Sequence, residues 1–281
     1  MTKTSKGKKI FLIVLLSVLV LVLLGFMISV IMGFLPIRAF NLASYKVSSQ
    51  LAYEDVFDAS FQEIKVDATL GDIEVLPSTD EKTHIAIYSD SSLFDVEDND
   101  SDLSIVFREE EGFHFSVPNT KDLIKVYVPV STSGSFVLES DCGDVTAEEF
   151  SNAIFDVTTN MGDVTITGAN QIDVDNDMGD ITVGTVRNLK VIQDMGDLEV
   201  DSISSRLSIE NDMGNVFLKE VSLEYDSKLT VNLGNVEIEK VSNAYIDAKV
   251  DLGDVDISNN NRKASHTLTI KGDMGDVQIG N

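Results

Sequence analysis

The chain has a single cysteine, Cys142, no tryptophan and only four prolines in 281 residues. One thiol makes no intramolecular disulfide, so a disulfide-stapled module is excluded. The three histidines, His84, His114 and His266, stand far apart, and no His/Cys spacing suited to zinc occurs. Acids are missing from residues 1–33, which carry Lys3, Lys6, Lys8 and Lys9. Beyond residue 33 the balance reverses: all 47 acids stand against 17 of the 21 bases, in a chain of net charge −26. So acidic a body lacks the basic face that nucleic acid requires. It is also repelled by anionic lipid headgroups. It attracts cations or basic partners, or simply keeps a well-solvated surface.

Residues 10–34 hold no charge. As a helix this run spans roughly 37 Å, enough to cross a bilayer with some tilt. Four lysines precede it and only Arg38 closely follows. The positive-inside rule therefore places the N-terminus in the cytoplasm and the rest outside. A cleaved signal peptide has a shorter apolar core and a small-residue cleavage site, and a lipoprotein would need a cysteine beside the run. The expected organisation is a cytoplasmic basic tail (1–9), one transmembrane helix (10–34) in the cell membrane, a juxtamembrane linker (35–52) and an extracellular part. Leu76-Pro77-Ser78-Thr79-Asp80 resembles a wall-sorting motif but lacks the C-terminal hydrophobic and basic tail. It reads as a turn between strands.

The outer part is repetitive, and repeats govern a fold reading. An apolar–Gly–Asp/Asn–apolar unit recurs at Gly71, Gly143, Gly162, Gly179, Gly196, Gly214, Gly234, Gly253 and Gly275. From Gly143 the spacings are 19, 17, 17, 18, 20, 19 and 22 residues. A short alternating stretch follows each glycine, as in Val164-Thr165-Ile166. Apolar pairs usually precede it by seven and five residues: Phe155/Val157, Ile172/Val174, Leu189/Val191, Leu207/Ile209 and Leu268/Ile270. A third apolar position often follows the glycine by seven: Val186, Ile203, Val221 and Val241. This is period-two strand grammar with turns between. A unit this short cannot bury its apolar side alone, so copies must stack. The expected fold is all-β: a β-solenoid of regular repeats over residues 133–281. Eight turns at about 4.8 Å give a rod of roughly 38 Å. Residues 53–132 form irregular first turns and a cap, and the polar C-terminal tail blunts the far end.

The repeats also serve as an internal alignment. The residue before the glycine is Met five times, Leu three times and Cys once. That column reads as core packing, which makes Cys142 a buried small hydrophobe and not a nucleophile. The unvarying glycine points to a positive φ or a close backbone approach. The residue after it is Asp seven times and Asn twice, at Asn215 and Asn235. The shared capacity of Asp and Asn is hydrogen bonding to turn backbone. A calcium ladder is the sharper alternative, with support from Asp177, Asp194, Asp212 and Asp273 two residues before glycines. The nonapeptide calcium roll has a different glycine pattern, however.

In the first outer segment, Ile64/Val66, Ile73/Val75 and Ile85/Ile87 follow the same grammar, and residues 123–130 read as a strand. Residues 103–107 and 113–117 read as a hairpin around the turn at 109–112. Asp98, Asp100, Asp102 and Glu109 mimic part of an EF-hand loop, but Leu103 stands where glycine is needed. An acidic surface loop fits better. No catalytic, cofactor-binding or metal-binding residues are assigned.

The opening turn Leu70-Gly71-Asp72-Ile73-Glu74-Val75, the strand Ile124-Lys125-Val126-Tyr127-Val128-Pro129 and the later Gly-Asp-Val repeats resemble a bacterial family known as the putative adhesin, or β-strand-repeat domain of unknown function. The resemblance covers roughly residues 53–281. It implies a solenoid-like fold without known catalytic residues, and some relatives sit among Lia-type envelope-stress genes of Gram-positive bacteria. The resulting expectation is a non-enzymatic interaction or scaffold module with envelope or membrane protein partners. The alternatives are an adhesin for host or neighbour-cell ligands and, more remotely, a glycan-active β-helix enzyme.

Overall fold

The computed structural model describes residues 46–58, 61–90, 93–107 and 120–280. From Val47 onward these belong to one unit. The expected basic tail, the expected transmembrane helix and most of the linker lie outside the described residues. So do the expected strand at 113–117, its turn at 109–112 and His114. Among the described residues no helix is long and apolar enough to cross a membrane.

The architecture is all-β, built from parallel rungs. The strand Val164–Met178 lies in parallel register on Ile181–Met195, pairing Val164 with Ile181 and Ile172 with Leu189. That strand in turn carries Leu198–Met213. Alternate side chains point inward, so each rung adds the same apolar set to one continuous core. The pairs Phe155/Val157, Ile172/Val174, Leu189/Val191 and Leu207/Ile209 are buried, as are the corner residues Val186, Ile203 and Val221. Each such side chain contributes about 1.5–3 kcal/mol of burial. At the first regular rung the core is aromatic: Phe136 stacks on Phe155 at 4.8 Å, with Phe150 beside them at 6.0 Å.

The glycine corner explains its own composition. Seven of the repeat glycines have φ between +138° and +158°. A Cβ on Gly179 would lie 2.1 Å from the Gly162 carbonyl oxygen of the adjacent rung. Only glycine fits that backbone approach. The Asp/Asn column forms a ladder of eight hydrogen bonds, in which each backbone N–H donates to the Oδ1 of the adjacent rung. Asp180 N to Asp163 Oδ1 is 2.8 Å and Asn235 N to Asn215 Oδ1 is 3.1 Å. An amide oxygen accepts as a carboxylate oxygen does, which is why Asn replaces Asp freely here.

The methionine column corrects the sequence expectation. Met161, Met178, Met195, Met213 and Met274 are exposed, as are Leu233 and Leu252, while Cys142 is half-buried. The last inward position before the corner is instead polar: Ser140, Thr159, Asn176, Gln193 and Asn211 are buried there. Four of them serve corner carbonyls, Ser140, Asn176, Gln193 and Asn211, with Asn176 Nδ2 donating to Gly162 O at 3.0 Å and Gln193 Nε2 to Gly179 O at 2.7 Å, while Thr159 Oγ1 accepts from Asn176 Nδ2 at 2.8 Å. The chain bends immediately afterwards. The methionine, inward by strict alternation, therefore points off the corner into solvent.

The stack departs from chain order at both ends. The strands Glu63–Ala68 and Gly71–Pro77 lie between the rung of Asp102–Phe107 and Thr120–Val128 on one side and that of Ser135–Cys142 on the other. At the far end, His266–Met274 lies between Ser227–Leu233 and Ala244–Leu252. The outermost rung is thus that of Gly253, and Val277–Ile279 sits inside the stack. The tail does not blunt this end. Asn260 does: its Oδ1 accepts from Ile246 N at 2.9 Å and its Nδ2 donates to Ile246 O at 2.8 Å, imitating a further strand. At the first end, antiparallel strands close the edge. Leu51–Phe57 pairs with Thr83–Tyr88, which pairs with Thr120–Val128. Asp102–Phe107 takes Phe94–Asn99 as its antiparallel partner, in place of the expected 113–117. Tyr53, Phe94 and Phe107 pack as a chain of rings on this side.

Candidate functional site

Stacking turns one residue per rung into a line. Met161, Met178, Met195, Met213, Leu233, Met274 and Leu252 form an apolar stripe down the glycine corner, each 37–63 % exposed. Cross-rung register aligns Met178 with Met195, Met195 with Met213, Met213 with Leu233, and Leu233 with Met274. One flank is the Asp/Asn ladder. The other is the column Asp141, Asn160, Asp177, Asp194, Asp212 and Asn232. Two asparagines there relieve crowding between carboxylates: Asn160 Nδ2 donates to Asp141 Oδ1 at 2.9 Å and Asn232 Nδ2 to Asp212 Oδ1 at 2.7 Å. Lys121 heads the ladder, 2.7 Å from Asp72 and 3.6 Å from Asp144. The result is a flexible, polarisable apolar surface between acidic rims. Singly exposed hydrophobes are ordinary; here register brings them into one line.

The other residues singled out in the sequence do not converge. Burial, reinforced by Asp141, raises the Cys142 thiol above its ordinary value, which disfavours the thiolate. His84 contacts Asp80 at 2.8 Å on the surface, and His266 opens a distant strand. Residues 78–80 form the turn after Gly71–Pro77, with Ser78 Oγ donating to Asp80 O. Asp98, Asp100 and Asp102 sit at a hairpin turn, where Asp98 Oδ1 accepts from Asp100 N at 3.1 Å and Asp100 adopts φ +58°. Among the described residues, no group of three or more His, Cys, Asp or Glu is placed to hold a metal ion.

A second feature escaped the sequence reading. At the other corner of the same rungs, Arg187, Lys190, Arg206 and Tyr225 line a cleft of about 720 Å³. The only sequence signal was the lengthening of the repeat from 17 to 18 and then 20 residues.

The Toastrack DUF4097 family matches residues 61–280, and the chain belongs to that family. No curated protein sequence matches it. Among solved structures, a putative adhesin from Bacteroides fragilis is similar at 16 % identity and TM-score 0.49, covering 83 % of this chain and 99 % of that one. A putative cell adhesion protein from Clostridium sporogenes aligns at 12 % identity and TM-score 0.31, covering 81 % and 98 %. A putative lipid binding protein from Parabacteroides distasonis aligns at 14 % identity and TM-score 0.25, covering 80 % and 96 %.

Proposed function

We propose that this chain is a non-enzymatic interaction module, tethered to the cell membrane by residues 10–34 and displayed outside, whose working face is the methionine stripe. The observation that carries this reading is an apolar line with acid on both sides. Methionine adapts its shape to varied partners. The acidic rims select a segment with the opposite charge pattern, an apolar run edged by lysine or arginine, and repel acidic ones. Such segments border the membrane spans of envelope proteins, which matches a scaffold held at the cell surface. The resemblance to relatives among envelope-stress genes points the same way. The carboxylates recur in step with the repeat, as a structural ladder does and a catalytic pair does not.

The test is photo-crosslinking in cells with the full-length chain, with a crosslinker replacing Met195 or, on a different face, Glu237. The expected result is capture from position 195 of peptides combining an apolar run with flanking Lys or Arg. Capture should be lost when Met161, Met178 and Met213 become serine, with the fold retained because these side chains lie outside the buried core. Acidic peptides, the same peptides from position 237, or no capture from 195 would each overturn the reading.

A further inference from the structure

The cleft at the other corner interrupts the repeat in a way the stripe does not. Register slips between Val186 and Asn188, so that the next rung has an added residue at the corner. The following repeat, 20 residues long, places Leu223–Asp226 alongside. Glu224 N donates to Ser205 O at 2.8 Å, which fixes that segment as one wall of the cleft. Bulges of this kind commonly re-aim side chains at functional sites.

The lining is unlike the rest of this acidic molecule. Two of the three described arginines stand here, with Lys190. Arg187 is neutralised by Glu224 at 3.0 Å and Lys190 by Asp173 at 2.8 Å, a bond that raises the Lys190 ammonium above its ordinary value and keeps it charged. Arg206 differs: among the described residues it has no carboxylate partner, and its guanidinium lies 4.7 Å from the Tyr225 ring centroid. Stacking on the ring orients the guanidinium fork and leaves its N–H edge available. Gln171 and Asn188 continue the register column that ends at Arg206, presenting amides in successive rungs.

From this arrangement we infer that the cleft binds a carboxylate-bearing sugar of an anionic glycan. One unpaired guanidinium matches one carboxylate, in the bidentate geometry arginine favours. A polyphosphate would call for more free cations. Amides and hydroxyls suit a ligand rich in hydroxyl groups, while a lipid chain would need apolar walls. The volume falls in the range of small-molecule sites, about 300–1,000 Å³. The inference is independent of the methionine stripe, which runs along the glycine corner.

The experiment is calorimetric titration of the full-length chain in mild detergent with a panel of oligogalacturonate, a glucuronate-containing oligosaccharide and a sialylated oligosaccharide. A neutral oligosaccharide of equal length and inorganic phosphate are the comparisons. At least one acidic sugar should bind. Arg206→Gln should weaken it at least tenfold and Tyr225→Ala, which removes the ring that orients the guanidinium, several-fold, while Met195→Ser leaves it unchanged. Arg206→Lys should recover only part of the loss, because an ammonium lacks the fork. Backbone amide exchange of the Arg206→Gln chain should match that of the parent, so lost binding is not lost folding. Equal binding of the neutral sugar or of phosphate would overturn the assignment, as would no binding across the acidic panel at millimolar concentration or affinity indifferent to Arg206→Gln.

Discussion

The middle of the molecule and its two ends solve the same problem differently. From Gly143 to Gly234 each rung lies on the one before it in the chain, and every edge but the outermost is covered by the next repeat. At the ends the chain overshoots and doubles back. A later strand, His266–Met274, is locked between two earlier ones, and an early segment, residues 63–77, is locked between two later ones. Periodicity alone thus builds a stack without saying where to stop. The ends stop it by burying the near-terminal strands on both sides, leaving internal segments outermost, and covering those with hairpins or a side chain. Edge strands are liabilities in any open sheet, and among the described residues both ends meet that liability with strands and side chains.

The largest effect should come from removing the strand that breaks chain order. Deleting residues 266–281 removes Leu268, Ile270, Val277 and Ile279, all buried. The loss is on the order of 6 kcal/mol or more, by the usual area-based upper estimate. Residues 244–257 also lose the only ladder partner they have among the described residues. Hydrogen exchange of the truncated chain should show 244–257 as unprotected as an unfolded segment, with residues 145–213 still protected. If 244–257 stayed protected by docking directly on Ser227–Leu233, the insertion would be dispensable and the contrast between ends and middle would fail.

How much of this was legible in the sequence follows the same division. The regular rungs were readable because each repeats one environment. Ile172 and Val174, Leu189 and Val191, the glycine and its Asp or Asn all recur at fixed offsets. The same sameness hid the order of the ends. Ile270 aligns with Leu229 on one side and Ala248 on the other, and Leu268 with Ser227 and Ile246, so pattern cannot say which strand lies next to which. The methionine column was misread because alternation was carried one residue pair too far, through Asn176 and its equivalents and past the bend. The buried polar side chain is set by the corner carbonyl it serves, a contact between rungs that one repeat does not reveal. The cleft was invisible for another reason. Arg206, Asn188 and Tyr225 become a constellation only where a register slip and a longer repeat coincide.

A smaller effect separates equivalent glycines. Gly196 lies inside the stack with φ +140°, and a Cβ there would approach the Gly179 oxygen to 2.0 Å. Gly253 has φ +147° and the same 2.0 Å approach to Gly275 O, but no rung lies beyond it. Gly196→Ala must displace rungs on both sides and should cost about 3–5 kcal/mol, among the larger single-residue effects. Gly253→Ala can tilt the last rung outward and should cost about 1–3 kcal/mol, near the strain of an unfavourable φ alone. Urea midpoints of the two variants at equal slope measure the difference. Equal losses would mean that the terminal rung is as constrained as the middle.

The smallest effect concerns a single side chain standing in for a strand. Asn260→Ala removes both hydrogen bonds to Ile246, worth about 1–3 kcal/mol together. It also frees an N–H and a C=O on the outermost strand, which pairs on its other side only with His266–Met274. Such an edge recruits another strand. Sedimentation should therefore show concentration-dependent self-association of Asn260→Ala that the parent chain lacks. Asn260→Asp should fall between them, since a carboxylate accepts from Ile246 N but has no proton to donate to Ile246 O. The graded series separates edge protection from loop packing: a defect of packing alone would lower stability equally in both variants and leave their association unchanged. A parent-like sedimentation profile for Asn260→Ala at every concentration would show that the asparagine does not guard this end, and that neighbouring residues of the 259–263 segment keep other chains away.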